Sequence, residues 1–214
     1  MFFGLSAPTI ISRVITLVIA FTGHEFAHAW SANELGDDTP RLNGRLTLNP
    51  LSHLDPIGSL LLLVTGFGWA RPVPINPYAL ERRTPAGTML VSAAGPLSNL
   101  VMAILAAIPF RMGLVARVAS SGQFLPSLSS FLSEFIFINL ILLFFNLIPI
   151  APLDGEKVLE FFLPPEARST LYQLRPYGPL LLLALLFLAP LVGLDVLGTL
   201  IGWPSQQVFR LLVM

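Results

Sequence analysis

Apolar residues arrive along this chain in long blocks separated by short polar ones, and the block lengths are those of a bilayer. Thr9 to about Ser31, Thr88 to Phe110 and Phe131 to about Pro149 carry few charges. Each gives the roughly 20 residues that cross a hydrocarbon core of about 30 Å at 1.5 Å per residue. Gly178 to about Ile201 is a last apolar run, interrupted by Pro190 and holding Asp195. It reads as one kinked span, with two half-spans as the alternative. Ile57 to Trp69 is apolar too, but it is broken by Gly58, Gly66 and Gly68 and is too short to cross as a helix. That pattern predicts a segment that dips into the membrane and returns, with protein or a water-filled cavity shielding its backbone.

The polar blocks add turns and edges. Asn43-Gly44 before a short alternating run predicts a turn and then a strand near Leu46–Asn49. Pro72, Pro74 and Pro77 forbid a helix after Ala70 and suggest an extended edge over Arg71–Asn76. Pro164-Pro165 marks an amphipathic or irregular connector between Glu156 and Tyr177. The expected fold is an all-α polytopic membrane protein of about four transmembrane helices, with a re-entrant loop or hairpin between the first two. Residues 1–214 form one domain, with a core over 10–160 and a C-terminal membrane segment at about 178–201.

Composition supports this picture and narrows the partners. Hydrophobic side chains make up 54% of the 214 residues and charged ones 11%, against roughly 25% charged in a soluble domain. The 12 Lys+Arg and 12 Asp+Glu cancel without a basic cluster, so nothing points to a nucleic-acid partner. The absence of cysteine excludes disulfides, thiolate metal sites and a cysteine nucleophile. The N-terminus lacks the basic stretch of a cleaved signal peptide, so the first block is expected to stay as a membrane helix. Arg41, Arg45, Arg71, Arg82 and Arg83 lie between the first two spans and Lys157, Arg168 and Arg175 after the third, whereas only Arg111 and Arg117 lie between the second and third. That bias puts the first and third connections in the cytoplasm and the N-terminus outside.

One stretch carries chemistry. Phe21-Thr22-Gly23-His24-Glu25-Phe26-Ala27-His28 places H-E-x-x-H near the end of the first span. Residues four apart share a helix face, so His24 and His28 can present two imidazoles to one metal with Glu25 beside them. From Ile10 to Ala32 the only formal charges are Arg13 and Glu25, and an intramembrane carboxylate is costly without a purpose. A catalytic zinc takes three protein ligands and keeps a fourth position open. Asp154 is the best carboxylate for the set, because the first and third spans run the same way and bring it to the same side. His53 is the rival ligand; its other readings are a loop histidine hydrogen-bonded near the interface, and a contact to a metal ligand or to the substrate. Glu25 then serves as general base for peptide hydrolysis, and Asn146 can donate to the oxyanion. Asn99 reads equally as an interhelical hydrogen bond or a substrate contact. A helical substrate must unwind before its carbonyl can be reached, and the extended pieces near Leu46–Asn49, Arg71–Asn76 and Pro149–Asp154 offer edges to it.

The chain resembles the site-2 proteases, intramembrane zinc metalloproteases. H-E-F-A-H at 24–28 matches the family's zinc helix and N-L-I-P-I-A-P-L-D-G at 146–155 its second motif. Gly44–Pro50 with His53, Asp55 and Pro56, then Gly68–Pro74 and Gly95-Pro96-Leu97-Ser98-Asn99, resemble the segments between. The resemblance covers about residues 10–160. It implies His24, His28 and Asp154 as ligands of one Zn2+ per chain, Glu25 as base, Asn146 as oxyanion or substrate contact, and 57–69 as a membrane-dipping β-loop. It implies transmembrane-helix proteins as substrates, a prokaryotic cell membrane as the location, and an active site toward the cytoplasm. The short chain departs from members that carry a PDZ or CBS module. The competing class is a non-hydrolytic membrane metal-binding protein, either a metal transporter or a helix-binding pseudoprotease. A transporter calls for further ligands along several spans and a pseudoprotease for a lost catalytic residue, and neither is seen.

Overall fold

The computed structural model describes residues 6–58, 61, 68–115 and 125–214. Four helices are long and apolar enough to cross a membrane: α1 (Ala7–Glu34), α3 (Gly87–Arg111), α4 (Leu128–Asn146) and α6 (Pro165–Leu188). Three shorter ones complete the labelled set: α2 (Pro77–Arg83) before α3, α5 (Asp154–Phe162) between α4 and α6, and α7 (Trp203–Val213) at the C-terminus. Proline sits in the first turn of α1, α2, α6 and α7, where its missing N–H is not needed.

The centre of the molecule is α3, which packs along both α1 and α4. Buried residues on α1 recur every fourth position as Ser12, Thr16, Ala20, His24, His28 and Ala32. On α3 they recur as Val91, Gly95, Asn99, Ala103 and Ala107. Both stripes are small or polar, as helix contacts in lipid require, because apolar bulk brings no advantage there and close backbone approach does. The opposite face of α3 carries Leu97, Val101, Leu105 and Ile108, all exposed and suited to lipid. Beyond Asn99, α3, α4 and α7 close around Phe110, Ile136, Leu140 and Val213. A second cluster of Ile148, Leu153, Leu182 and Ile201 joins the end of α4 to α6 and the C-terminal segment.

Three expectations are corrected. First, no β-strand forms among the described residues; the β-feature present is a lone antiparallel bridge, Leu54 to Ala70. Asn43-Gly44 ends the one-turn helix Thr39–Leu42, with Gly44 at φ +65° and its N–H on Arg41 O. Asn-Gly therefore acts as a helix stop and not as a hairpin turn. Asn49, expected in a strand, caps the 3₁₀ turn Pro50–Ser52 by accepting from Leu51 N–H. Second, the re-entrant β-loop is not supported: Ile57, Gly58 and Leu61 are helical, and the rest of the stretch up to Gly68 lies outside the described residues. Third, the last span begins at Pro165, well before Gly178. Pro165 starts that helix where an amphipathic or irregular connector was expected, and Pro190 with Gly193 at φ +78° turns the chain back. Asp195 then caps the returning helix by accepting from Gly198 N–H.

Candidate metal centre

The centre is assembled where α1, α3 and the start of α5 meet. His24 and His28 point from α1 toward α3, and each ring is held from behind by its Nδ1. His28 Nδ1 lies 2.7 Å from Val91 O, and His24 Nδ1 lies 2.8 Å from Asn99 Oδ1. Asn99 in turn donates through Nδ2 to Asn139 Oδ1, and Asn139 donates to Phe135 O in its own helix. Since both Nδ1 atoms face acceptors, both must carry the proton, which leaves each Nε2 with a lone pair. Those two lone pairs face each other at 3.0 Å.

Asp154 completes the set. Its helix begins immediately after the turn that ends α4, and Gly155 allows that return because any Cβ there would collide with the carbonyls of Leu147 and Ile148. Asp154 Oδ2 lies 3.1 Å from His24 Nε2 and 3.3 Å from His28 Nε2. It is buried and has no hydrogen-bond donor. Two converging imine lone pairs and an orphaned carboxylate oxygen repel one another unless a cation sits among them. Ligands about 2.0–2.1 Å from a tetrahedral zinc stand about 3.3 Å apart, close to the spacings found. The donor set is therefore that of zinc, and His24, His28 and Asp154 are the group able to hold a metal ion among the described residues.

Gly95 gives the rings their space. It sits between Val91 and Asn99 on the buried stripe of α3, and a Cβ there would press on His28 Nε2 and Cε1 and on His24 Cε1. Three positions of one helix face thus hold the first ring, leave room for both, and hold the second.

The remaining expected residues fall in different places. Glu25 is buried beside the centre and its Oε2 accepts from Val73 N–H at 3.2 Å. Asn146 lines the same cleft, with Nδ2 donating to Leu142 O at 3.0 Å. Asn99 is fully buried behind His24, away from the cleft wall. His53 stands outside the convergent set: it is fully buried, and its Nε2–H donates to Thr47 O.

Two residues were missed by sequence reading. Asn139 is one polar residue inside the third apolar block and belongs to no motif, yet it completes the hydrogen-bond chain behind His24. Arg45 was counted only as a topological charge. The residue is buried, at 4% exposure, and its guanidinium donates to the carbonyls of Ser52, Arg71 and Pro72, which fixes the segment whose Val73 N–H meets Glu25. A lone arginine before a proline-rich stretch gives no sequence signal for three carbonyl partners.

The centre opens on a cleft of about 940 Å³. Its walls are mostly apolar and come from α1, α4, α6 and the 69–75 segment, with Phe21, Phe137, Ile141 and Leu186 among them. Span α6 closes one side loosely, since only 11% of its apolar window is buried.

The model of Peptidase family M50 matches residues 111–186. "Putative zinc metalloprotease YwhC" of Bacillus subtilis is 44% identical over 197 residues, covering 92% of this chain and 86% of that protein. "Putative zinc metalloprotease Rip2" of Mycobacterium tuberculosis H37Rv is 35% identical over 206 residues, covering 92% and 73%. "Putative zinc metalloprotease MJ0611" of Methanocaldococcus jannaschii is 32% identical over 105 residues, about half of each chain. No solved structure matches the chain significantly.

Proposed function

The chain belongs to peptidase family M50, the site-2 protease family of membrane zinc proteases, and we propose that it hydrolyses peptide bonds within or next to transmembrane helices of other proteins. The observation that carries this reading is the position of the His24, His28 and Asp154 donors, with Glu25 beside them, at one end of a large apolar cleft between spans. A soluble peptide gains nothing from such walls, whereas an apolar helix matches them.

His24, His28 and Asp154 hold the metal. Zinc held there supplies Lewis acidity, which makes water nucleophilic near neutral pH and polarises a carbonyl. Glu25 takes the proton from the attacking water and delivers it to the departing amine nitrogen. Val73 N–H holds the Glu25 carboxylate in place for both transfers. Asn146 keeps one amide N–H beyond the one it gives to Leu142 O, and that hydrogen is the donor for the oxygen of the cleaved carbonyl. The 71–75 segment offers the unwound substrate acceptors more than donors. Its Arg71 and Val73 N–H groups are engaged, and Pro72 and Pro74 have none. The active site faces the cytoplasm by the Lys and Arg distribution.

The test is cleavage of a labelled single-span substrate by purified protein in detergent, with bound zinc measured in the wild type and in Glu25→Gln. Cleavage by the wild type, with loss of at least about 100-fold in a Glu25→Gln protein that keeps its zinc, is expected for a general base. If both proteins hold zinc and neither cleaves any helix of a broad panel, the site binds metal without hydrolysis and the proposal fails.

A further inference from the structure

With the three metal ligands and Glu25 set apart, the ionisable residues that line the cleft among the described residues are Arg13, Glu134 and Lys157. Arg13 and Glu134 meet at 2.9 Å and bridge α1 to α4, far along α1 from His24. Lys157 stands beside the metal centre. It follows Asp154 by three positions on α5, so the two share a helix face about one turn apart. It also belongs to a group of four charges that joins α5 to α6, with Glu156, Glu160 and Arg175. Arg175 serves both carboxylates: its Nε and Nη2 donate to Glu156 Oε1, and Nη2 also meets Glu160 Oε2 at 2.8 Å. Tyr172 O–H donates to Glu160 Oε1 at 2.6 Å.

Lys157 Nζ stands farther off, 3.5 Å from Glu156 Oε2 and 3.9 Å from Glu160 Oε2. Those spacings exceed the roughly 2.7–3.2 Å of an N–H···O hydrogen bond. The acids hold the ammonium nearby by charge, while Arg175 takes the close contacts. Of the four, Lys157 is the one that lines the cleft, and its side chain is 34% exposed. The charge that this group turns toward a substrate is therefore positive, carried on a flexible stem with three donors. The group also lies at the mouth of the cleft, because Arg175 precedes the α6 residues Pro179, Leu182 and Leu183 that wall it. The Lys and Arg distribution makes that mouth cytoplasmic, and cytoplasmic flanks of membrane helices are themselves rich in Lys and Arg. An ammonium on the wall repels such a flank and attracts a carboxylate in the same place. A penalty on the wrong partner discriminates as well as a gain with the right one.

We propose that Lys157 is a specificity-determining residue: it favours substrate helices with a carboxylate side chain close to the cleaved bond, on the flank that leaves the cleft past α5, and rejects those with Lys or Arg there. The inference rests on the protease reading and adds to it a substrate feature. The spacing follows from α5. Side chains three apart on a helix stand roughly 5–6 Å from each other, which about two residues of extended chain cover at 3.3 Å each. The reach of the lysine stem widens the window to about two to four positions from the cleaved bond.

The experiment uses the purified wild-type protein, Lys157→Met and Lys157→Arg in uncharged detergent. Methionine keeps an unbranched stem without the charge, and arginine keeps the charge. Zinc content and melting temperature report folding, and Lys157→Gln is the second neutral variant if the Met protein loses its zinc. Labelled single-span helices with a long tail carry Leu, Asn, Asp or Lys at successive positions on either flank of the cleaved bond. They are scored for binding and for kcat/KM, always as ratios between substrates of one protein. Within the window on one flank, the wild type should favour Asp over Leu and Asn by about threefold and over Lys by about tenfold, as a part-exposed charge pair allows. Lys157→Met should bring Asp and Lys within about twofold, and Lys157→Arg should keep the wild-type order. A flat scan in the wild type, or an undiminished Asp preference in the neutral variants, would show that Lys157 only balances Glu156 and Glu160 and would overturn the proposal. Binding that prefers Asp in the wild type and not in Lys157→Met, with no helix cleaved, would sink the protease reading while the subsite stands.

Discussion

Replacing Gly95 by alanine adds one methyl group at the point where α3 faces both zinc-type histidines. The new Cβ would press on ring atoms of His28 and His24 closer than real Cβ atoms approach anything. Neither ring can give way freely. His28 is held by Val91 O and His24 by Asn99 Oδ1, both on the same helix as the intruding methyl. Either the rings rotate and lose those hydrogen bonds, or α3 moves off α1 and the buried stripe opens. Overpacking of this kind costs about 1–3 kcal/mol, and disturbing the groups that orient one metal-bound histidine typically lowers affinity 10–100-fold. With both rings affected, zinc affinity should fall by about 100-fold or more. Gly23→Ala is the control, since its Cβ would meet only the Met102 Cε and Sδ atoms, the far end of a flexible side chain. There the helix preference of alanine over glycine, about 0.8–1.0 kcal/mol, is free to show. Zinc affinity by chelator competition and melting temperature of the zinc-free form separate the two effects. Gly95→Ala binding zinc within threefold of wild type would refute the account of how α3 shapes the centre.

Removal of the Asn99 side chain in Asn99→Ala should lower zinc affinity about 10–100-fold through loss of the His24 Nδ1 partner; Asn99→Asp, which keeps an acceptor, should restore most of it in the same chelator assay. Arg45→Met should leave zinc content near one per chain while kcat falls more than KM rises, because the carbonyls of Ser52, Arg71 and Pro72 lose the donor that places Val73 against Glu25. An Arg45→Met protein with wild-type kcat would show that the 71–73 segment does not orient the base. Arg175→Ala should lower stability by about 1–3 kcal/mol in chemical denaturation. It removes one of the two cations paired with Glu156, whose side chain is 3% exposed and which still has Lys157 Nζ at 3.5 Å, and the arginine itself is 37% exposed and partly solvated.

The spans and the grouping of His24, His28 and Asp154 could be read from the sequence because both rest on a strong local rule. A bilayer imposes length and apolarity on each crossing segment, and a helix imposes a four-residue repeat on anything that must share a face. His24 and His28 obey the repeat, and Asp154 is marked by the unwound end of a span. The loops failed for the opposite reason. Asn-Gly serves either a hairpin or a helix stop, and the choice depends on whether Thr39–Leu42 has already formed one turn, which Pro40 in the first turn makes possible. Likewise Pro164-Pro165 was read as part of an amphipathic or irregular connector, although proline at the start of a helix is favourable. In each case the residue type marks a boundary, and the neighbouring element decides what lies on either side of it.

What stayed hidden in the site is the support behind the ligands. Val91 acts through its backbone carbonyl, Gly95 through a missing side chain, and Asn139 and Arg45 through partners about 40 and 26 positions away in sequence. None of these is visible as a motif, because a carbonyl and an absence have no residue type and a distant partner has no spacing. Yet they decide the chemistry. Two imidazoles on a helix have four nitrogens between them, and only the acceptors on α3 dictate which two point outward with lone pairs. Without Asn99 and Val91 in their places, H-E-x-x-H is a pair of histidines. With them, and with Asp154 Oδ2 left without a donor, it is a site that is electrostatically incomplete until a cation enters.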